Sequence, residues 1–431
     1  MTSRNHVCHI VPPYLMQRLD PGRLDRDNGF RAARAEHLTR VLAEAPAPEA
    51  ATTAADAGDW TVYTAANGTD LPGEKVRAAD EPESGDESVD EAATGITGSL
   101  ALFEEVYGRD SYDGRGAEVV MTVHYDRDYA NAFWDGTQLV FGDGDGKIFQ
   151  RFTKAVDVIG HELSHAVTEN TAGLVYEGQP GALNESMSDV FGSCLKQRLL
   201  GQSAEEADWI IGQGLFTESV QGVGLRNMLE PGTAYDDPEL GKDPQPAHMD
   251  DIYDGTDDNG GVHINSGIPN RAFALAAKAI GGSSWDGAGK IWYAALTGDA
   301  VTTDTDFAGF AAATVAAAGE QAEAVTTAWS EVGVTPASSA PGPDGEAPTV
   351  VRVRRSGGFL GRTKEGVAEL APSAAGVVSV RNLVAGAGAP SKPKGADRYV
   401  YEFEVDGRSV VVHEGDLSPE LHALADELLE K

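Results

Sequence analysis

Cysteine, basic charge and long apolar runs are all scarce in this sequence. The chain has only two cysteines in 431 residues, Cys8 and Cys194, which excludes a framework of several disulfides. No stretch approaches the roughly 18 consecutive apolar residues of a membrane-spanning helix. The N-terminus also lacks the apolar core of a secretory signal. We therefore expect synthesis as a cytoplasmic chain, with export by a non-classical route left open.

The deficit of basic residues is large. The chain carries 33 Lys and Arg against 68 Asp and Glu, which gives a formal net charge of −35 at pH 7. Such a chain would be repelled by nucleic acids and by anionic membrane surfaces, so neither is expected as a partner. A solvated acidic surface explains this charge, and bound cations are the alternative interpretation.

Changes in composition divide the chain into parts. Stretches rich in Pro and small residues at 43–59 and 337–348 lack apolar periodicity and are typical of linkers. Between them, strand-like runs precede a long Ala-rich helical region. The predicted strands cover residues 60–63, 119–125 and 137–142, and the predicted helices cover 89–107, 149–168, 182–200 and much of 264–335. After the second linker, a predicted β-hairpin around Asp406-Gly407 and a terminal helix indicate a small α+β domain.

The strongest local signal is HELSH at residues 161–165, an H-E-x-x-H motif on a predicted helix. Residues four apart share one face of a helix, so His161 and His165 can bind one zinc ion. Glu162 can then take a proton from water at that ion. A chance match is the alternative, and catalytic zinc also needs a third protein ligand.

A candidate third ligand follows in NESMSD, residues 184–189. Glu185 and Asp189 are four residues apart on the next predicted helix. If that helix packs beside the first, Glu185 can complete the zinc site and Asp189 can accept the second N–H of His161. The alternative for Glu185 is an exposed helix carboxylate, which its apolar neighbours disfavour.

These motifs belong to a longer series that resembles the thermolysin-like peptidases over about residues 60–335. The matching blocks are NAFWDG (131–136), FGDGDG (141–146), VIGHELSHAVTE (158–169), GLVYEGQPGALNESMSD (173–189), LRNM (225–228) and DNGGVHINSGIPN (258–270). The resemblance implies an α+β fold with a β-rich N-terminal lobe, a helical C-terminal lobe and the zinc helix between them. It implies a metalloendopeptidase that hydrolyses peptide bonds through a zinc-activated water. The open alternative is a peptidase-fold binding protein that is non-catalytic or permanently inhibited.

The resemblance assigns catalytic roles beyond Glu162, the expected general base. It implies that His263 stabilises the oxyanion of the reaction and that the phenol of Tyr176 assists. It also implies that Asp258 orients His263. Without the resemblance, His263 would be interpreted as a surface residue, Tyr176 as a core residue and Asp258 as a turn former.

Substrate-binding residues are also implied by the resemblance. The Asn131 side chain, the Ala132 carbonyl and Arg226 are expected to hold the substrate backbone. The implied pocket on the leaving-group side of the scissile bond is apolar, so cleavage before bulky hydrophobic residues is expected, and the Phe152 ring should narrow that pocket. The residues at its matching positions are Phe149, Phe152, Val158 and Leu225.

Calcium is where the sequence departs from the larger family members, which bind two calcium ions. Asp157 and Asp208 match two calcium ligands, but Lys196, Ile210 and Gln213 stand at other ligand positions. Calcium needs several oxygen ligands, and an ammonium would repel it. We therefore expect one catalytic zinc and no double calcium site, with a single weak calcium site left open.

The two ends of the chain resemble other modules. VPPYL at residues 11–15 resembles the protealysin-like subfamily, whose short propeptide carries a Pro-Pro motif. This resemblance implies that the N-terminal region folds over the cleft and keeps the enzyme latent. Residues 349–431 resemble emfourin, a small inhibitor of protealysin-like enzymes, which implies inhibition of the chain by its own C-terminal domain. A generic accessory domain is the alternative.

The predicted organisation follows from these observations. It comprises a propeptide and linker at 1–55, an N-terminal peptidase lobe with the zinc helix at 56–200, a helical lobe at 201–336, a linker at 337–348 and an emfourin-like domain at 349–431. The expected partners are peptide or protein substrates, together with the chain's own propeptide and C-terminal domain.

Overall fold

The computed structural model describes residues 8–19, 59–337, 349–357, 363–370, 380, 399–405, 408–413, 417 and 419–430. The chain divides into two compact units, residues 1–337 and 338–431. The predicted linkers lie outside the described residues except at their ends, and so does most of the predicted propeptide. Among the helices of the described ranges, none combines the length and the apolarity needed to cross a bilayer.

A six-stranded mixed sheet forms the β-rich part of the first unit. Its strands are β1 (Cys8–His9), β2 (Trp60–Thr64), β3 (Glu74–Ala78), β4 (Val119–Val123), β5 (Ala132–Trp134) and β6 (Leu139–Phe141). Their order is β1-β5-β6-β4-β2-β3, with β2, β4 and β6 parallel and β5 antiparallel to both of its neighbours. The predicted strands coincide with β2, β4 and β6. The N-terminal strand β1 therefore covers the side of β5 that would otherwise be a sheet edge.

Four helices pack near this sheet. They are α1 (Pro13–Leu19), α2 (Glu87–Tyr107), α3 (Val156–Glu169) and α4 (Gly178–Leu200). The Asp86 side chain caps α2 by accepting from two backbone amides of its first turn, and Gly108 ends α2 with a left-handed φ of 67°. Helix α3 is buried along almost its whole length, since every residue from 157 to 168 is buried.

The predicted helix at 149–168 is wrong at its start. The Gln150 amide donates to the Leu215 carbonyl, and the Phe152 amide donates to the Gly142 carbonyl. Arg151 and Ala155 have extended ψ angles of 137° and 103°, so no continuous helix runs through them, and only a short 3₁₀ turn at Phe152–Lys154 precedes α3.

Two glycines set the distance between α3 and α4. A Cβ atom at Gly192 would lie 2.4 Å from the backbone oxygen of Asp157, and one at Gly160 would lie 3.0 Å from the Gly192 Cα. The first distance is too short for a real Cβ contact, and the second is at the lower limit of such contacts. Gly192 therefore permits a close approach of the two helices, and Gly160 leaves little room for a side chain.

The rest of the first unit combines short strands with helices. The strands form two pairs, β7 (Ile210–Ile211) with β8 (Arg226–Asn227) and β9 (Asp236–Asp237) with β10 (Gly241–Lys242). The helices are α5 (Asp257–Asn265), α6 (Gly267–Ile280), α7 (Ala288–Leu296), α8 (Phe307–Ala317) and α9 (Ala322–Glu331). Residues 258–261 of α5 have positive φ, so regular helix follows only after them. Stacked Trp292 and Trp329 rings, 6.0 Å apart, join α7 to α9.

The second unit is a four-stranded antiparallel sheet with one helix. Strands β11 (Thr349–Gly357), β12 (Lys364–Leu370), β13 (Tyr399–Val405) and β14 (Arg408–His413) lie in the order β12-β11-β13-β14, and α10 spans Pro419–Glu430. Apolar residues of the sheet and of α10 form one core. The predicted hairpin of β13 and β14 is confirmed.

Candidate active site

Three metal-binding side chains converge where α3 packs on α4. His161 and His165 project from one face of α3, and Glu185 projects from α4. The two histidine Nε2 atoms lie 3.0 Å apart, and oxygens of Glu185 lie 3.6 Å from His161 Nε2 and 3.8 Å from His165 Nε2. Donors bound at about 2 Å to one tetrahedral zinc lie roughly 3–3.5 Å apart, so these residues fit zinc. Two imidazoles and one carboxylate leave the fourth position open for chemistry.

The protonation states of these donors also suit a metal. Burial lowers the pKa of His165 to about 3, and the neighbouring His161 adds to this effect. Burial acts to raise the pKa of Glu185, but the nearby imidazoles of His263 and His165 outweigh it and lower that pKa to about 2. At neutral pH the site therefore offers a neutral imidazole and a charged carboxylate, the forms that bind metal.

A second layer of polar residues orients the two imidazoles. Asp189 Oδ1 lies 2.8 Å from His161 Nδ1, and Asn184 Oδ1 lies 2.9 Å from His165 Nδ1. With each Nδ1 donating, each Nε2 keeps its lone pair for the metal. The Arg226 guanidinium donates to both carboxylate oxygens of Asp189, from Nε to Oδ2 at 2.7 Å and from Nη2 to Oδ1 at 2.8 Å. Burial acts to raise the pKa of Asp189, but the Arg226 charge holds that pKa well below its usual range.

Two members of this layer were not identified from the sequence. Asn184 orients His165, and the Asn270 side chain donates to Asp189 Oδ2 at 2.8 Å. Asn184 lies in the NESMSD run and Asn270 ends the DNGGVHINSGIPN run, so both were inside recognised blocks. An amide side chain gives no spacing signal of its own, and these blocks were the only clue available.

The candidate catalytic residues lie beside the metal donors. Glu162 follows His161 on α3 and is fully buried. The Asp258 carboxylate accepts from His263 Nδ1 at 2.6 Å, and the Tyr176 hydroxyl lies 3.2 Å from His263 Nε2. The Tyr176 hydroxyl also donates to Glu185. Burial acts to lower the pKa of His263, but the charges of Glu185 and Asp258 raise it above its ordinary value. His263 can therefore donate from both ring nitrogens.

The three candidate backbone-binding residues all contact the N-terminal segment, residues 8–11. The Ala132 carbonyl accepts from the Ile10 amide at 3.1 Å. The Asn131 side chain accepts from the Val11 amide at 2.9 Å, and Arg226 Nη1 donates to the Ile10 carbonyl at 3.1 Å. This segment is therefore bound where the sequence places an extended substrate.

The four candidate pocket residues are buried in one apolar cluster. They are Phe149, Phe152, Val158 and Leu225, each exposed by 3% or less. The rings of Phe149 and Phe152 lie 5.6 Å apart. The cluster is the main hydrophobic core of the first unit, and the fully buried Ile10 of the N-terminal segment also belongs to it.

Comparisons with known proteins follow the same division of the chain. The description "Thermolysin metallopeptidase, catalytic domain" matches residues 48–169, and "Thermolysin metallopeptidase, alpha-helical domain" matches residues 172–334. The chain belongs to the thermolysin family of metallopeptidases. Membership confirms the predicted two-lobed α+β fold and the predicted metallopeptidase class. It also implies a catalytic zinc at His161, His165 and Glu185.

Several thermolysin-family relatives are similar over most of the chain. The chain is 46% identical over 336 residues to "Extracellular metalloprotease" of Pectobacterium carotovorum subsp. carotovorum, covering 76% of this chain and 96% of that protein. It is 43% identical over 348 residues to "Protease PrtS" of Photorhabdus sp. (strain Az29), covering 77% and 93%. A solved structure titled "Precursor of Protealysin, Metalloproteinase from Serratia proteamaculans" matches with a TM-score of 0.68 and 47% identity. That match covers 76% of this chain and all of the other.

The far end of the α3–α4 pair differs from the thermolysin-like pattern described above. Lys196 Nζ lies 2.7 Å from Asp208 Oδ1 and 3.4 Å from Asp157 Oδ2, and it donates to the Ile210 carbonyl. Burial raises the pKa of Asp157, against the opposing charge of Lys196. An ammonium thus lies among the oxygens where the resemblance places calcium ligands.

Proposed function

We propose that this thermolysin-family peptidase hydrolyses peptide bonds of extended chains that pair with β5, and that its N-terminal region keeps it latent. The observation that carries the proposal is the convergence of a zinc-type donor set, an acid–base carboxylate and a bound strand at one site. His161, His165 and Glu185 would hold the zinc. Bound there, zinc supplies Lewis-acid polarisation of a carbonyl and makes water more acidic.

Proton transfer is assigned to Glu162. Its place beside the metal donors lets it take a proton from the attacking water and later give that proton to the leaving amine. Such transfers contribute typically 10²–10⁴-fold to rate. Glu162 is fully buried on α3 and directly follows the donor His161 in the chain.

Charge stabilisation at the carbonyl oxygen is assigned to His263 and Tyr176. Asp258 accepts from His263 Nδ1, so it holds the ring with Nε2 directed towards the site. It also accepts from the backbone amides of His263 and Ile264, at 2.8 and 3.2 Å, which fixes the carboxylate itself. Donors held rigidly in this way stabilise developing negative charge at little reorganisation cost.

Substrate selection is assigned to the backbone-binding and apolar residues. Asn131, Ala132 and Arg226 would read an extended backbone without regard to its sequence. The apolar cluster of Phe149, Phe152, Val158 and Leu225 favours a bulky hydrophobic side chain directly after the scissile bond. The buried Ile10 is a side chain of this kind.

Latency is assigned first to the N-terminal region. The segment 8–11 uses the groups that a substrate would use, and α1 adds the buried Leu15 and Met16 together with a bond from Arg18 to the Leu240 carbonyl at 3.1 Å. A substrate must displace these contacts before it can bind. We also propose that no double calcium site exists, because Lys196 occupies its place.

A second inhibitory role is proposed for the C-terminal unit, on the strength of its resemblance to emfourin. Its compact α+β core supports an independent domain. Peptide hydrolysis should rise when residues 338–431 are deleted from an enzyme that lacks the N-terminal region, and it should fall when the isolated domain is added back. No change in either case would favour a generic accessory domain.

The peptidase proposal is tested by zinc analysis and peptide hydrolysis together. The wild-type chain should hold one zinc and, once freed of its N-terminal region, should cleave a peptide series best where Leu, Ile or Phe follows the scissile bond. Glu162→Gln should keep the zinc but lose activity by roughly 10²–10⁴-fold, since only the base is removed. A fully active Glu162→Gln enzyme would refute the mechanism, and activity without zinc would refute the metal site.

A further inference from the structure

The N-terminal segment has one peptide bond at the centre of the candidate active site. We propose that residues 8–11 are bound as a substrate, with His9–Ile10 as the scissile bond, and that the enzyme cleaves this bond in its own chain. The inference rests on the proposed function and adds to it a defined modification site. This bond lies inside the N-terminal region and far from its junction with the peptidase.

The direction and register of the segment support this assignment. Strand β1 runs antiparallel to β5, with Cys8 opposite Trp134 and His9 opposite Phe133. The pairing continues through the bond from the Ile10 amide to the Ala132 carbonyl, at 3.1 Å. A segment that merely covered the cleft could run in either direction and at any register. This one is aligned residue by residue with the strand that is proposed to hold substrates.

The groups after the bond are held more fully than those before it. Arg226 donates to the Ile10 carbonyl, at 3.1 Å. The Asn131 side chain contacts Val11 twice, accepting from its amide at 2.9 Å and donating to its carbonyl at 3.4 Å. Pro12 and Pro13 follow and have no amide hydrogen to extend the ladder. The contacts therefore fix Ile10 and Val11 as the residues on the leaving-group side.

The carbonyl before the bond faces the catalytic groups. The His9 oxygen lies 3.0 Å from His263 Nε2, the nitrogen that is proposed to stabilise the oxyanion. The same nitrogen lies 3.5 Å from Glu185 Oε1, an atom of the metal-binding set. His263 Nε2 is therefore close both to the His9 carbonyl oxygen and to the metal donor Glu185. A reacting carbonyl must occupy this position.

The side chains on either side of the bond agree with this register. Ile10 is fully buried in the hydrophobic core of the first unit. The His9 ring is also buried and lies 5.1 Å from the Phe133 ring. The bond therefore precedes a bulky aliphatic residue, which is the preference proposed for external substrates.

The cleavage is an ordinary hydrolysis. Water adds to the His9 carbonyl carbon, the bond from that carbon to the Ile10 nitrogen breaks, and Glu162 passes the proton of the water to the departing nitrogen. The second proton of the water also ends on that nitrogen, so the products are a carboxylate at His9 and an ammonium group at Ile10. Residues 1–9 are separated from the chain, while α1 retains its own contacts with the peptidase. The cut should loosen the inhibitory region without releasing all of it.

The direct test is mass spectrometry and N-terminal sequencing of the full zinc-loaded chain over time. We expect a new N-terminus at Ile10 in the wild type, whereas Glu162→Gln should stay intact. The rate constant should not change on dilution, because the bond already lies in the site of its own chain. A rate that fell in proportion to concentration would show cutting by another copy and would overturn the assignment.

Two variants separate this inference from the proposed function. Ile10→Asp places a charge in an apolar cluster, so it should slow the cut roughly 10-fold or more. It should also expose the site, so that the variant hydrolyses an external peptide. Gln17→Asp adds the same charge at an exposed position of α1 and should be cut at the wild-type rate. If Ile10→Asp hydrolyses the external peptide but the wild type is never cut after His9, the inference is wrong and the peptidase stands. If neither chain hydrolyses anything with zinc bound, both are wrong.

A measurement that needs no activity tests the register itself. In the full Glu162→Gln chain, with and without zinc, the Ile10 and Val11 amides should exchange slowly with deuterium, because Ala132 and Asn131 accept from them. Asn131→Ala should speed exchange at Val11 more than at Ile10. Exchange at both amides as fast as in a free peptide would overturn the proposal.

Discussion

The two ends of the α3–α4 pair stabilise buried carboxylates in different ways. At one end, Glu185 and Asp189 are buried beside His161 and Arg226, and the donor set fits a zinc ion. At the other end, Asp157 is buried beside the ammonium of Lys196. Buried carboxylates need positive charge nearby. The first end can obtain part of that charge from an exchangeable ion, whereas the second carries it on its own chain.

This difference separates chemistry from stability. A metal with an open coordination position can react, but its binding depends on metal supply and on pH. A lysine that is paired with Asp157 and Asp208 and bonded to the Ile210 carbonyl cannot react in this way, but it is always present. The comparison therefore predicts that changes at the first end mainly affect activity, and that changes at the second end mainly affect stability.

The largest effect is expected from removing a metal donor. His161→Ala should abolish both zinc binding and peptide hydrolysis, because the remaining two donors are too few for a catalytic site. Zinc can be measured by elemental analysis of the purified protein, and activity with a peptide whose scissile bond precedes Leu. Retained zinc and activity in this variant would contradict the claim that the first end of the pair controls activity.

Replacing His263, the proposed oxyanion donor, tests the chemistry without removing a metal donor. His263→Ala should lower turnover by roughly 10²–10³-fold and leave zinc bound, which is the usual cost of losing one such donor. Initial rates and zinc content should be compared in the same preparations, freed of the N-terminal region. Loss of zinc from this variant would mean that His263 belongs to the metal site.

The lysine end should respond in the opposite way. Lys196→Met should lower the free energy of unfolding by about 3 kcal/mol, because it leaves the buried Asp157 without its partner. Lys154→Met is a suitable control, because Lys154 bonds only the partly exposed Gln150 side chain among the described contacts. Zinc content should be unchanged in both variants.

A calcium-selective chelator should leave the melting temperature of the wild type unchanged, and a large calcium-reversible fall would contradict the proposed absence of a calcium site.

The smallest effect on stability is expected at His124, whose positive charge is lost as pH rises. Asp143, at 2.7 Å, and Asp86, at 3.1 Å, flank His124, and the bond to Asp143 raises the pKa of His124 despite partial burial. A raised pKa means that the stabilisation is complete below the ordinary value of about 6.5 and is lost as pH rises through the folded value. The difference in melting temperature between wild type and His124→Gln should therefore be larger at about pH 6 than at about pH 9. An equal difference at both values would show that His124 acts through packing alone.

Helical periodicity explains why the ligand set could be predicted from sequence. Residues four apart on a helix share a face, so His161 with His165, and Glu185 with Asp189, follow from spacing alone. The structure brings all four together. The contacts of Asn184 and Asn270 depend on how the helices pack, and no local pattern encodes that packing.

The register of the N-terminal segment could not be predicted from the sequence either. Strand β1 has two residues, too few for an alternating pattern, and its pairing is fixed by Asn131 and Arg226 from distant parts of the chain. The resemblance placed this region over the cleft, but it did not indicate which carbonyl would face His263. The start of the predicted helix at 149–168 failed for a related reason, because the Gln150 amide is bonded to the distant Leu215 carbonyl and the backbone at Arg151 and Ala155 is extended.

The contact between Gly160 and Gly192 has a consequence for the spacing of the metal donors. Both glycines lie within two turns of the donors, and the missing side chains let α3 and α4 touch through their backbones. We expect a methyl group at Gly192 to push the helices apart and to lengthen the gap between His161 and Glu185, because it would lie 2.4 Å from the Asp157 oxygen. The spacing of the metal donors therefore depends on a side chain that is absent, at a position that is not itself a donor.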